Sequence, residues 1–256
     1  MKLTVFRADK GDCLLLTSSN GTNILADGGM RDSYRQHVAP ALGKLHQDGQ
    51  VLDLVYLSHI DQDHIAGILQ LVNDLVDWRV FRYQTTNGNP TFPTPGSPEP
   101  PAIRQIWHNA FHEQVGKNAG PIEEMLAANA SILSADANFL DIAERSSDLA
   151  TSMAEAVKLS RHIGARQLGI PLNPEYDRGL MYVADPADAI DIGDLSIWVI
   201  GPFAEDLAVL RRDWNTWLRS QRGKTALRRI RDQARPFSMR FQYSHGSPYF
   251  LRSHMS

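Results

Sequence analysis

The stretch 51–77, VLDLVYLSHIDQDHIAGILQLVNDLVD, constrains the fold more than any other part of the chain. An apolar run of strand length, VLDLVYL, leads into a polar cluster. Ile65, Ile68, Leu69, Val72 and Val76 then share one helical face. This reads as a strand–loop–helix unit. The strand is largely apolar at successive positions, as expected in a sheet covered on both faces. Asp63 is placed as an acid near the helix N-terminus. A loop at the C-terminal end of such a strand is where open α/β sheets place their ligand sites.

That loop holds His59, Asp61, Asp63 and His64 within six positions. Four such side chains repel one another, or are costly to desolvate, unless a cation neutralises the carboxylates. Imidazole with carboxylate suits zinc, manganese or iron. Alternation along an extended segment points His59, Asp61 and Asp63 the same way and turns His64 to a second position, so the cluster can serve two metals. The alternative is a polar loop whose Asp63 caps the helix, which accounts for one residue of the four.

Around this unit the chain reads as mixed α/β. KLTVF, CLLLT and TNILAD are strand candidates separated by GD and NGT breaks, a meander that ends in Asp27-Gly28-Gly29. Residues 32–48 are helix-like, and WRVFRY after residue 77 is a strand candidate. Residues 87–101 hold six of the 14 prolines and must form an extended loop. Residues 102–163 read as three or four helices, the clearest ending at Gly164. LSIWVIGP is the best strand of the β-rich stretch 180–202, and 203–235 is helical and basic. The expected organisation is one domain over 1–256. An N-terminal half, 1–86, carries the motif. A proline-rich loop and helical insertion fill 87–165, core strand and basic helix return over 166–235, and 236–256 is an atypical tail.

The 256 residues, 43% of them apolar, suffice for a sizeable core. A net charge of −3 predicts no bulk attraction to nucleic acid or membrane. One cysteine, Cys13, excludes an intrachain disulfide and a thiolate zinc cluster, and its place in CLLLT marks it as core. No apolar run approaches the roughly 18 residues of a membrane span, and Arg7, Asp9 and Lys10 interrupt any signal-peptide core. The expectation is a cytoplasmic protein with no membrane partner.

The run His59-Ile60-Asp61-Gln62-Asp63-His64 resembles the H-x-H-x-D-H signature of the metallo-β-lactamase superfamily, with Asp61 in place of the middle histidine. The meander, Asp27-Gly28-Gly29, the apolar strand and Gly67 in the next helix match too, so the resemblance covers residues 1 to about 80. It implies an αββα sandwich, clear in its N-terminal half and incomplete in its second, with a helical insertion. It implies a hydrolase holding two divalent metals, Zn2+ with Mn2+ or Fe2+ as alternatives. His59 and Asp61 would serve one ion, and Asp63 and His64 the other, with Asp63 also orienting the attacking hydroxide. Asp27 reads equally as an acid that orients the ligands from behind and as a turn residue before two glycines. IWHNAF, LGIPLN and VIGP are similar to a bacterial branch of such hydrolases, near the domain of DNA-uptake channel proteins. That likeness implies a phosphodiester in nucleic acid or a nucleotide as substrate. Another ester, amide or thioester is the alternative, as is an inactive binding module.

The second half of that fold usually adds an Asp in a turn after a strand and a late His. Gly193-Asp194 precedes its strand, so Asp194 reads as a turn residue. His245-Gly246-Ser247 echoes the late motif only faintly. From Gln233 to the end there is no Asp, Glu or Lys, and the expectation is a truncated chain. His108 and His112 sit four apart, on one face if their segment is helical, and are candidates for metal or substrate contact along with His245. Residues 211–235 carry nine basic residues against two acids, a candidate nucleic-acid surface or a solvated helix whose Trp214 and Trp217 face the core.

Overall fold

The computed structural model describes residues 1–109, 155–156, 158–177, 179–185 and 187–219. Strands β1 (Lys2–Val5), β2 (Leu14–Thr17) and β3 (Asn23–Ala26) pair antiparallel, as the meander requires. Their turns use positive φ at Asp9, Gly11 and Gly21. Strand β4 (Leu54–Tyr56) then joins parallel to β3, and β5 (Ile106–Trp107) parallel to β4, giving one sheet in the order β1-β2-β3-β4-β5. Parallel neighbours need long crossovers, and both are helical. The first carries α1 (Arg31–Ser33), a π-turn over Tyr34–Val38 and α2 (Ala39–Gln47) without a break. The second carries α3 (Gln62–Thr86) and the proline-rich loop.

Alternation along the strands assigns residues to the two faces. Leu15, Leu25, Val55 and Ile106 face α1–α3 and pack with Tyr34, Val38, Leu42, Ile65, Ile68, Leu69 and Val72. Ile24, Leu54 and Trp107 face the other way. They pack with Met181 and with the antiparallel hairpin β6 (Ala189–Ile192) and β7 (Leu195–Trp198) through Ile190, Ile192, Leu195 and Ile197. The central strands are thus covered on both faces, which is why VLDLVYL is so apolar. Gly193 turns the hairpin at positive φ, and the Asp194 carboxylate accepts from Ser18 Oγ at 2.6 Å and Thr22 Oγ1 at 2.5 Å. These bonds fasten the hairpin to the β2–β3 turn, so Asp194 is a turn residue as expected. Helix α4 (Ala204–Arg219) follows.

Two expectations are corrected. WRVFRY is no strand: α3 runs on through it. No Gly or Pro separates Asp77 from Tyr83, and Trp78 anchors the helix on the proline-rich loop, its indole N–H donating to the Ser97 carbonyl at 3.0 Å. Propagating a helix already nucleated outweighs the strand preference of aromatic and β-branched residues. Nor is the stretch from 102 wholly helical, since Ile106–Trp107 is the fifth strand of the sheet. Residues 158–163 are helical as expected, ending at Gly164. The body of the expected insertion (110–154), most of the basic stretch 211–235 and the whole tail 236–256 lie outside the described residues. The α/β class stands, with helices, a mixed sheet and a hairpin in successive layers. Among the described residues no helix is long and apolar enough to cross a membrane.

Candidate metal centre

Three loops meet at the C-terminal end of β4. The motif leaves the strand extended and enters α3 with Asp61 as N-cap, at φ −60° and ψ 146°. The Asp27-Gly28-Gly29 loop presses against the first turns of that helix. Gly28 N–H donates to the His64 carbonyl and Gly67 N–H to the Gly29 carbonyl, both at 3.0 Å. The approach is so close that a Cβ on Gly28 or Gly67 would overlap the other's backbone. The turn before β2 closes the third side, where a Cβ on Gly11 would overlap the Asp63 carbonyl. The glycines of the motif region are therefore what lets the three loops converge.

The side chains gather in pairs around Asp27. Its carboxylate accepts from Ser58 N–H at 2.8 Å and from Ser58 Oγ at 2.7 Å. Its Oδ2 also lies 3.0 Å from His64 Nδ1. That approach is off the ring N–H direction, and His64 Nδ1 makes no aligned hydrogen bond. Ser58 Oγ is 2.8 Å from His59 Nδ1, so one serine joins Asp27 to the first motif histidine. His59 Nε2 lies 3.5 Å from Asp61 Oδ2, and His64 Nε2 lies 3.9 Å from Asp63 Oδ2. The two imidazoles are in contact, tilted 46° to one another with centroids 3.8 Å apart. Exposure rises outward from 9% for the Asp27 side chain and 11% for His64 to 47% for His59 and 64% for Asp61. The buried acid is behind the cluster and the solvent in front.

The structure thus brings together all four motif residues and Asp27, but in an order that the spacing did not give. Only His59 and Asp61 belong to the extended segment; Asp63 is already in the first turn of α3. Capping explains none of them, since the N-cap is Asp61 and its side chain makes no capping bond. Asp27 holds a positive φ of 56°, as a turn residue would, and also contacts both Ser58 and His64. Ser58 is the member that sequence reasoning missed. Its only signal was its position between the strand and His59.

As donors, two imidazoles and two carboxylates suit a divalent cation in kind. Asp27 stands beside Nδ1 of His64, on the side from which a carboxylate commonly steadies a ligating imidazole, although the aligned hydrogen bond of that arrangement is not formed. The arrangement offers pairs: among the described residues no group of three or more His, Cys, Asp or Glu is placed to hold an ion.

His108 is set apart. It follows β5 directly, so the expected helical face shared with His112 is corrected at this end, because Ile106–Trp107 pairs with β4. Trp107 Nε1 donates to Glu175 at 2.8 Å, and the Asn173 side chain bonds both the N–H and the carbonyl of His108 at 2.9 and 2.8 Å. Asn109 clamps Met181 in the same two-handed way. His108 is 1% exposed, and among the described residues neither ring nitrogen has a partner. Burial pulls its pKa down to about 4, so the imidazole is neutral. His112 and His245 lie outside the described residues.

Residues 7–76 match the family model of the metallo-beta-lactamase superfamily. The matched segment takes in the Asp27-Gly28-Gly29 loop, β4, the motif and most of α3, and stops before β5, His108 and the hairpin. Neither a curated protein nor a solved structure matches the chain. Over its N-terminal part the chain therefore resembles the metallo-β-lactamase superfamily, whose members are typically metal-dependent hydrolases, and nothing finer than that superfamily is matched.

Proposed function

We propose that the chain is a metal-dependent hydrolase. One observation carries the reading. The motif imidazoles and carboxylates stand as two His–Asp pairs, backed by one buried acid, at the C-terminal end of a central parallel strand. This lies within the segment similar to the metallo-β-lactamase superfamily. His59 with Asp61, and Asp63 with His64, would hold divalent ions, zinc first and manganese or iron as alternatives. His112 and His245 are candidates for the remaining ligands. A bound divalent ion supplies Lewis acidity and hydroxide near neutral pH. Asp63 orients the attacking water, and Asp27 holds Ser58 and His64 in place from behind.

For the substrate, the phosphodiester reading rests on the basic stretch 211–235 and on the likeness to DNA-uptake proteins. A neutral ester, amide or thioester is the second reading. A specific observation favours it: the cavity that reaches Ser58 is lined, among the described residues, by no Lys or Arg. The test is hydrolysis of bis(4-nitrophenyl) phosphate and 4-nitrophenyl butyrate by zinc- or manganese-loaded protein, against chelated protein and Asp63→Ala. Metal-dependent turnover lost in Asp63→Ala supports the proposal. Turnover that survives chelation and Asp63→Ala contradicts it.

A further inference from the structure

Between the five-stranded sheet and the β6–β7 hairpin lies a cavity of about 510 Å³. Its floor is Ile24, Leu54 and Trp107, its far wall Ile197 and Trp198, and at one end it opens onto Tyr56 and Ser58, beside the motif. Its lining is predominantly hydrophobic, with a few convergent polar groups, the usual make-up of a small-molecule site.

One of those polar groups is unexplained by the fold. His108 is among the residues lining this cavity, is almost fully buried, and among the described residues has no partner at either ring nitrogen. Its neighbours are all accounted for. Glu175 takes the Trp107 indole, Asn173 takes both backbone groups of His108, and Asn109 is spent on Met181. Leaving a buried polar group unpaired is unfavourable. Here the backbone around the ring is held by hydrogen bonds while the ring nitrogens are left unpaired among the described residues. Among the described residues His108 also joins no group of ligand-type side chains able to hold a metal. It therefore belongs to the cavity and not to the motif cluster.

We infer that this cavity receives the body of the substrate, an uncharged small molecule with an aromatic or other flat apolar part, and that His108 fixes it by hydrogen bonding to a polar group beside the bond to be cleaved. The inference rests on the hydrolase reading for the cleavage and on the cavity alone for the binding. An imidazole held neutral can both donate and accept, so it suits an ester or amide carbonyl, whereas a phosphodiester is best met by Lys or Arg side chains, and the lining holds neither among the described residues. Trp198, more than half exposed at the rim, offers a flat surface at the entrance.

The probe is N-(4-nitrophenyl)butanamide, a neutral aromatic amide, titrated by calorimetry into the full-length protein. Saturable binding is expected, weakened about tenfold by His108→Leu and also weakened by Trp198→Ala, an exposed position whose loss leaves the core intact. Bis(4-nitrophenyl) phosphate should compete poorly. Absence of saturable amide binding, equal affinity in both cavity variants, or tighter binding of the phosphodiester overturns the inference. If the amide binds as expected while neither bis(4-nitrophenyl) phosphate nor 4-nitrophenyl butyrate is hydrolysed by metal-loaded protein, the hydrolase reading falls and the binding site stands.

Discussion

Replacing Gly67 by Ala tests how the motif is held. In an ordinary helix interior the change is stabilising by about 1 kcal/mol. At position 67 the new Cβ would lie 2.8 Å from Gly28 Cα and closer still to the Gly28 carbonyl. Backbone cannot yield as a side-chain tip can, so α3 and the Asp27-Gly28-Gly29 loop must move apart. Overpacking of this kind is destabilising by about 1–3 kcal/mol. The two 3.0 Å hydrogen bonds that tie loop to helix sit on either side of the contact. Losing them adds about 1 kcal/mol each. After the helix-propensity gain, the net is a destabilisation of about 2–4 kcal/mol, or a Tm lower by roughly 5–15 °C for a chain of this size. Urea unfolding with a matched thermal melt measures it. Stabilisation, or a change within about 0.5 kcal/mol, would refute the reasoning that this glycine pair sets the approach of the motif helix.

Other perturbations separate the roles assigned above. Asp27→Asn keeps a residue that tolerates the positive φ but halves the acceptor capacity facing Ser58 and His64. Metal affinity, measured by chelator competition, should fall about 10- to 100-fold with little change in Tm, and unchanged affinity would reduce Asp27 to a turn residue. His108 gives a pH signature. Its folded pKa, about 4, lies below the ordinary imidazole value, so the unfolded chain takes up the proton first. Stability is complete above about pH 6.5 and declines as pH falls towards 4, by roughly 3 kcal/mol in all. Unfolding free energies between pH 7 and 4 should show that decline in the parent and not in His108→Leu. The hydroxyls of Ser18 and Thr22 hold the Asp194 carboxyl below its usual range. Asp194→Ala should lower the Tm at neutral pH, and the gap from the parent should close as the pH drops through that lowered value.

The three-stranded meander was legible because its Gly and Asn breaks are unambiguous, and the motif helix because its apolar period is regular. Strand β5 was not, since two residues carry no period and the pairing of Ile106 and Trp107 with β4 is decided by tertiary contact. WRVFRY misled for the opposite reason: its composition favours a strand, but a helix running into it has no cause to stop. Within the site, residue types identified the four motif positions, while spacing did not give their pairing. That came from the N-cap falling at Asp61, which puts Asp63 beside His64 on the helix. The contacts of Asp27 with Ser58 and His64 join parts of the chain that lie far apart in sequence and follow from the parallel pairing of β3 with β4. His108 could be singled out as a histidine, but its burial without a partner depends on Asn173 and the sheet–hairpin cavity, which no local pattern encodes.

The central claim is that His59, Asp61, Asp63 and His64 form a metal centre. Metal content per chain in the purified protein tests it most directly, with His59→Ala and Asp63→Ala measured alongside. The account predicts stoichiometric divalent metal, zinc or manganese, retained by the parent and reduced or lost in each variant. A parent that retains no metal after equilibration with either ion, or variants that retain as much as the parent, would contradict it.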